Sequence, residues 1–214
     1  MITKDYQVAL PKNPRIRMHY TPGHFCTSFY HTNYYLDVST MKACALTARD
    51  VARQLAVPYI SSAIVNTIVC MENTKVIGAF LAQELLQEGT AVMNTGGEIH
   101  VVTPMNSFDG RYLFYDNELP WIENQSILLL TASVIGGKTL NSVLECISYY
   151  NGLVAGISSL FLYDETVTSH KINSLFTAED LPGYRVFPTS DGCEMCEVGQ
   201  KLDAIISSEG YKKI

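Results

Sequence analysis

The stretch ILLLTASVIGGKTL, Ile127 to Leu140, decides how this chain is read. Its first four residues are apolar without polar alternation, the pattern of a central strand in a parallel sheet covered on both faces. Two glycines, a lysine and a threonine follow, predicting a turn. A helix then groups Leu140, Val143, Leu144 and Ile147 on one face until Asn151-Gly152 stops it. Strand-to-helix turns of this composition hold phosphates. The first-turn amides of a helix have no internal partner, the helix dipole adds partial positive charge, and glycine lets the backbone approach the anion. Gly136, Gly137, Lys138 and Thr139 supply that geometry, and Thr139 adds a hydroxyl.

Working outward, helix and strand signals alternate around this stretch. A helix starts at Ser39 or Thr40 and carries Ala48, Val51, Ala52 and Leu55 until Pro58. Thr67–Met71 (TIVCM) reads as a strand. Behind it, a helix places Ile77, Leu81 and Leu85 on one face and ends at Gly89. Ala91–Met93 reads as the next strand, and Ile99–Thr103 with Arg111–Tyr115 as a hairpin turning at Asp109-Gly110. LVAGISSLFLY is the strand after the second helix. The expectation is an α/β fold: a central parallel sheet of about five strands flanked by helices, with right-handed crossovers.

The chain has 214 residues, 47% of them hydrophobic, enough to bury a core in one domain. Its formal charge of -6 argues against duplex nucleic acid, which needs a basic surface, but leaves room for a small anion held by backbone amides. No apolar run approaches the ~20 residues of a spanning helix, so membrane partners are not expected and a cytoplasmic location is. Cys26, Cys44, Cys70 and Cys146 are isolated and read as reduced thiols. Cys193 and Cys196 form a single C-x-x-C. With no second pair nearby it reads as two small residues packing the tail, since a zinc site would need ligands from elsewhere, such as a second subunit. No residue is assigned to a metal.

Three readings of the central turn compete. The end of a nucleoside-triphosphate loop, G-x-x-x-x-G-K-[ST], matches Gly137-Lys138-Thr139, with Asp164 after SLFLY as a magnesium partner, but Ala132 stands where that loop needs its first glycine. A plain tight turn before a helix is the bland reading. The third is a resemblance. TASVIGGKT resembles the ribose-phosphate loop of type I phosphoribosyltransferases, in which a hydrophobic strand runs into two acids and then a T-G-K-T or T-G-G-T turn. VCMENTKVIGAFLAQEL resembles that family's pyrophosphate-loop strand and helix. GHFCTSFYHTNYYLDVSTMK and CEMCEVGQKLDAIISSEGYKKI resemble the N-terminal segment and tail of its orotate-type members.

The resemblance covers the whole chain and implies one domain over residues 1–214. Residues 1–38 form an N-terminal hood segment and residues 185–214 a C-terminal tail that completes a small hood. It implies transfer of ribose 5-phosphate from phosphoribosyl pyrophosphate to a nitrogenous base, magnesium bridged through the ligand, and a homodimer. A regulatory relative that binds phosphoribosyl pyrophosphate or a nucleotide without turnover is the alternative. Carried over residue by residue, Thr131, Ala132, Ser133, Val134, Ile135, Gly136, Gly137, Lys138 and Thr139 hold phosphate and ribose. Glu72, Asn73 and Thr74 hold pyrophosphate, and Asn33, Tyr34 and Tyr35 hold the base.

The chain departs from the family pattern at three places. Thr131 and Ala132 stand where the acid pair belongs. The segment matching the family's lysine-rich mobile loop contains no lysine, which leaves His100 and Arg111 as its cations. The places that grip orotate's carboxylate read TPGHF and Tyr163-Asp164-Glu165-Thr166, acidic if anything. Orotate is therefore a doubtful base. His100 and Thr131 are the catalytic candidates that remain, His100 also reading as an ordinary hairpin residue.

Overall fold

The computed structural model describes residues 5–87, 93–107, 110–207 and 210–214. Three antiparallel-paired strands open the chain, β1 (Tyr6–Leu10), β2 (Asn13–Cys26) and β3 (Tyr30–Asp37), followed by helices α1 (Ser39–Ala43) and α2 (Ala45–Ala56). Strand β4 (Thr67–Cys70), helix α3 (Lys75–Leu85), strand β5 (His100–Val102) and the short pair β6 (Met105–Asn106) and β7 (Tyr112–Leu113) come next. Strand β8 (Ser126–Val134), helix α4 (Lys138–Tyr149), β9 (Leu153–Leu162) and β10 (Ile172–Thr177) complete the α/β unit. The tail adds β11 (Val186–Pro188), α5 (Glu194–Glu197), β12 (Ala204–Ser207) and β13 (Gly210–Lys213). Among the described residues, no helix is long and apolar enough to cross a membrane.

The central sheet runs β10-β9-β8-β4-β5 and every pairing in it is parallel. Its strands are apolar on both faces because both faces are covered. Ile68, Cys70, Leu128 and Leu130 pack with Val51 and Leu55 of α2 and Ile77 and Leu81 of α3. The alternate residues Val69, Ile127 and Leu129 pack with Leu140, Val143 and Ile147 of α4 on the other side. Each such side chain, fully buried, contributes about 1.5–3 kcal/mol relative to exposure.

The second sheet is the hood. In it β11 pairs with β3, β3 with β2, and the tail strand β12 lies parallel to β2, so the two ends of the chain share one sheet. A run of tyrosines ties it to the core: Tyr6 stacks on Tyr20, Tyr20 meets Tyr34, and Tyr34 stacks on Tyr184, which packs edge-on against Phe161 of β9.

Two expected elements change. The helix foreseen from Ser39 to Pro58 is two helices, broken at Cys44, whose backbone is extended (φ −84°, ψ 115°). The break buries Met41 of α1 while Lys42 reaches the turn after β4. The foreseen hairpin is also redrawn. His100–Val102 joins the central sheet beside β4, in register with Thr67–Val69. Pro104, lacking an N–H, closes that strand. The hairpin is formed instead by Met105–Asn106 with Tyr112–Leu113. Asp109 of the foreseen turn, Gly89 at the foreseen end of α3, and Ala91 of the foreseen strand Ala91–Met93 lie outside the described residues, and Met93 is in a turn.

Candidate functional site

At the C-terminal ends of β4 and β8 two strand-to-helix turns face the hood, the place where open α/β sheets bind ligands. A cavity of about 510 Å³ opens there, walled by Tyr30 and Tyr35 of the hood, Lys42 of α1, Glu72, Ser133 and Tyr184. A second cavity of about 260 Å³ adjoins it over Gly136–Leu140 and under Phe29 and Ser190. The two share Phe29, Tyr30, Glu72, Ser133, Ile135 and Thr139.

The turn after β8 is shorter than the sequence implied. Thr131 to Val134 belong to the strand, paired with Ser159 to Leu162 of β9, so only Ile135, Gly136 and Gly137 connect it to α4. Gly137 is left-handed (φ 72°), and a Cβ there would meet Val167 Cβ at 2.7 Å. No other residue type fits without a shift of Val167. Among the described residues, the amides of Gly136, Gly137, Lys138 and Thr139 donate no hydrogen bond, and they open on the smaller cavity. The Lys138 ammonium lies 4.6 Å from the centre of the Phe29 ring, a cation–π contact at the cavity rim.

The turn after β4 is built the opposite way. Glu72 and Asn73 take left-handed backbone (φ 52° and 63°) without being glycine. The Lys42 ammonium donates to the Glu72 carbonyl at 3.1 Å. This conformation sends the Glu72 carboxylate across to β8. There Oε2 accepts from Thr131 Oγ1 (2.9 Å), Ala132 N (3.0 Å) and Ser133 N (2.9 Å). The end of β8 therefore has a carboxylate after all, delivered from the neighbouring turn rather than from positions 131 and 132.

Several expected contacts are not made. Thr131 is buried and its hydroxyl is spent on Glu72 and the Ser133 carbonyl. Thr74 is fully buried and donates to the Met71 and Leu130 carbonyls, so it holds the turn and lines neither cavity. His100 begins β5, at the end of the sheet away from the turns, and stacks on Trp121 with ring centres 4.7 Å apart. It stands apart from both cavities. Asp164, the magnesium partner of the nucleotide-loop reading, accepts from Thr166 N and Oγ1 and caps its own short helical turn.

Of the base-site candidates, Asn33 binds the backbone of Gly183 and Arg185 and lines neither cavity. Tyr34 and Tyr35 do line the larger one. Tyr34 donates to the Pro182 carbonyl, while Tyr35 packs edge-on against Tyr211 of the tail. Burial, with Asp37 and Tyr211 adding to it, pushes the Tyr35 phenol up to about 12. Tyr30 is also raised, by burial first and then by Tyr184 and Glu72. The cavity therefore presents neutral phenols, which donate hydrogen bonds and stack but carry no charge at neutral pH. Burial likewise pushes the Cys70 thiol up to about 12, which removes it as a nucleophile.

The sequence reading missed Lys42, Phe29, Tyr30 and Tyr184. Lys42 left one signal, a charge placed directly after the quoted N-terminal segment's Ser39-Thr40-Met41. The aromatics left none, because tertiary folding alone brings residues 29–30 and 184 to one wall.

Neither a protein-family model nor a curated protein sequence matches the chain. Solved structures do. UMP synthase from Leishmania donovani superposes with a TM-score of 0.51 at 15% identity, over 71% of this chain and 31% of that one. The match thus spans about a third of that enzyme's length. Adenine phosphoribosyltransferase from Rhodothermus marinus DSM 4252 gives 0.49 at 12% identity, over 81% and 93% of the two chains. Orotate phosphoribosyltransferase from Mycobacterium tuberculosis H37Rv, in complex with 5-phospho-alpha-D-ribosyl 1-diphosphate, gives 0.47 at 12%, over 69% and 82%. With its five parallel strands between two helical layers under a hood, the chain has the type I phosphoribosyltransferase fold.

Proposed function

We propose that the joined cavities bind a phosphoribosyl compound, and that the chain transfers ribose 5-phosphate from phosphoribosyl pyrophosphate to a nitrogenous base. The observation that carries this reading is the set of unengaged amides at Gly136–Thr139 opening on a cavity. They form an anion cradle at a helix N-terminus, with Lys138 beside it. The 5′-phosphate belongs there. The ribose then lies along Ser133 and Thr139, beside the Glu72 carboxylate, and the pyrophosphate beside Asn73 and Lys42. The larger cavity, at about 510 Å³, falls in the range of about 300–1,000 Å³ common for small-molecule sites.

The walls favour an uncharged base. Tyr30, Tyr35 and Tyr184 offer faces and hydroxyls, and among the described residues the one cation lining the larger cavity is Lys42. Orotate's carboxylate would lack a partner if Lys42 serves the pyrophosphate. Magnesium would be expected to enter with the ligand, since three donors already hold Oε2 of the Glu72 carboxylate to β8. Its chemistry would be to neutralise the pyrophosphate leaving group. A homodimer is part of the reading, checked by light scattering.

A second reading, a regulatory protein that binds the same ligands without turnover, is favoured by one observation. Among the described residues, Glu72 is the one carboxylate lining the larger cavity, and its Oε2 is engaged in holding β8, so it is less available to the ribose hydroxyls than a free acid pair would be. Calorimetry with phosphoribosyl pyrophosphate and magnesium, and with nucleoside monophosphates, tests the shared part. Absence of heat at millimolar ligand would overturn both. Pyrophosphate release with a panel of bases separates them: release with an uncharged base supports the transferase, and binding without release supports the regulator.

A further inference from the structure

Away from the cavities, four side chains with metal-binding chemistry meet where the tail crosses the hood. They are His24 at the end of β2, His31 in β3, Cys193 just before α5, and Cys196 within it. One ligand atom from each lies within 4.8 Å of all the others. His24 Nε2 is 2.9 Å from His31 Nδ1, 3.6 Å from Cys193 Sγ and 3.7 Å from Cys196 Sγ, and Cys196 Sγ is 3.4 Å from His31 Nδ1. In a tetrahedral zinc site, with Zn–S about 2.3 Å and Zn–N about 2.0–2.1 Å, neighbouring ligand atoms stand about 3.3–3.8 Å apart. The three sulfur–nitrogen separations already match those edges. The two nitrogens would spread by about 0.4 Å around an ion.

The surroundings prepare the ligands. His24 is fully buried and its Nδ1 lies 2.9 Å from the Gln200 carbonyl, an acceptor only. The proton must therefore be on Nδ1, which leaves the Nε2 lone pair aimed at the cluster. Metal-bound histidines are oriented in this way, through the hydrogen bond made by the other ring nitrogen. Backbone pairing sets the partners: Cys26 of β2 opposes His31 of β3, and Asp203 of the tail donates its N–H to the His24 carbonyl while accepting from the His24 N–H. A helical turn over Cys193–Cys196 is closed by the Glu197 amide, which donates to the Cys193 carbonyl. Packing alone would not need two imidazoles and two thiols converging on one point.

We infer that His24, His31, Cys193 and Cys196 bind one Zn²⁺ that fastens the C-terminal tail to the N-terminal hood. Two thiolates cancel the ion's charge, which suits a site that is half buried, and mixed thiolate and imidazole ligation favours zinc over harder cations. The ligands that the C-x-x-C lacks in sequence come from the same chain, some 170 residues away, with no need of a second subunit. Because four protein ligands fill the coordination sphere, the role is structural. The ion fixes the tail segment whose Ile206 and Gly210 wall the larger cavity. The inference stands independently of what that cavity binds.

The test is metal analysis of the full chain, purified reduced and without chelator, then loaded with zinc and dialysed. The expected result is about one zinc ion per chain. Replacement by Co²⁺ should give the visible absorption of tetrahedral cobalt with a thiolate-to-cobalt charge-transfer band. Cys193→Ser and Cys196→Ser should each lose both signals and melt at a lower temperature, whereas Cys44→Ser keeps both. Should the serine variants fail to fold, His31→Gln, at a partly exposed position, serves in their place, and the cobalt spectrum of the unsubstituted chain is read alone. Substoichiometric metal in the reduced chain, a cobalt spectrum without thiolate bands, or undiminished metal in the Cys193→Ser/Cys196→Ser double variant would each overturn the inference.

Discussion

The turns after β4 and β8 stand side by side at one end of the sheet, and both rely on left-handed backbone, yet they present opposite electrostatics. The β8 turn obtains its geometry from Gly137, keeps its side chains out of the way, and leaves a cluster of N–H groups for an incoming anion. The β4 turn obtains it from Glu72 and Asn73, where non-glycine residues at positive φ cost of order 1–3 kcal/mol each. That cost is offset by the charge-assisted bonds of the Glu72 carboxylate to Thr131, Ala132 and Ser133, each worth about 1.5–3 kcal/mol. One turn waits for a negative charge and the other brings its own. The pair explains how a chain with Thr131 and Ala132 in place of two acids still carries a carboxylate at the end of β8.

Substitutions in the two turns should therefore part company. The largest effect is expected at Gly137→Val, where the φ of 72° and a Cβ 2.7 Å from Val167 both resist the side chain. Affinity for phosphoribosyl pyrophosphate, followed by calorimetry, should fall about a hundredfold or more. Wild-type affinity in a folded variant would show that the anion binds elsewhere. Glu72→Gln comes next. Urea unfolding should register a loss of about 2–4 kcal/mol, as the amides of Ala132 and Ser133 lose a charged acceptor. An unchanged midpoint would mean that the carboxylate does not hold β8, and the contrast between the turns would collapse.

Gly78→Ala sharpens the comparison from the other side. Position 78 lies on α3, behind the β4 turn, and an added Cβ would run into Cys70 Sγ at the sheet. Overpacking should cost about 1–3 kcal/mol in thermal or urea unfolding, with the ligand dissociation constant unchanged. A large change in affinity there would show that the packing behind the β4 turn, and not the turn itself, shapes the ligand site. Lys138→Ala should have the smallest effect. Its ammonium rests on Phe29 in an exposed contact worth about 0.5–1 kcal/mol. Affinity should drop about three- to tenfold, most visibly at low salt, because the amides supply the greater part of the cradle.

Much of the sheet was legible because its strands and helices carry their own signals. Ile127–Leu130 has no polar alternation, and the spacing of Leu140, Val143 and Ile147 admits one helical face, so β8 and α4 appear where expected. His100–Val102 was misplaced because a three-residue apolar run has the same look in a hairpin and at the edge of a parallel sheet. Only the neighbour β4 settles which. The site was legible where backbone chemistry defines it, at Gly136–Thr139, and not where side chains reach across the fold. Nothing local tells Glu72 to bind the amides of residues sixty positions later, and nothing local pairs His24 with Cys193.

By itself the sequence determined the βαβ order, the apolar faces of the central strands and helices, and the glycine turn before α4, because each depends on periodicity or on conformational freedom within a few residues. Tertiary structure alone decided which carboxylate serves the end of β8, which aromatics wall the cavity, and which histidines meet the cysteines of the tail. Those outcomes rest on distances between segments far apart in the chain, and such distances are set when the sheet, its helices and the hood pack against one another.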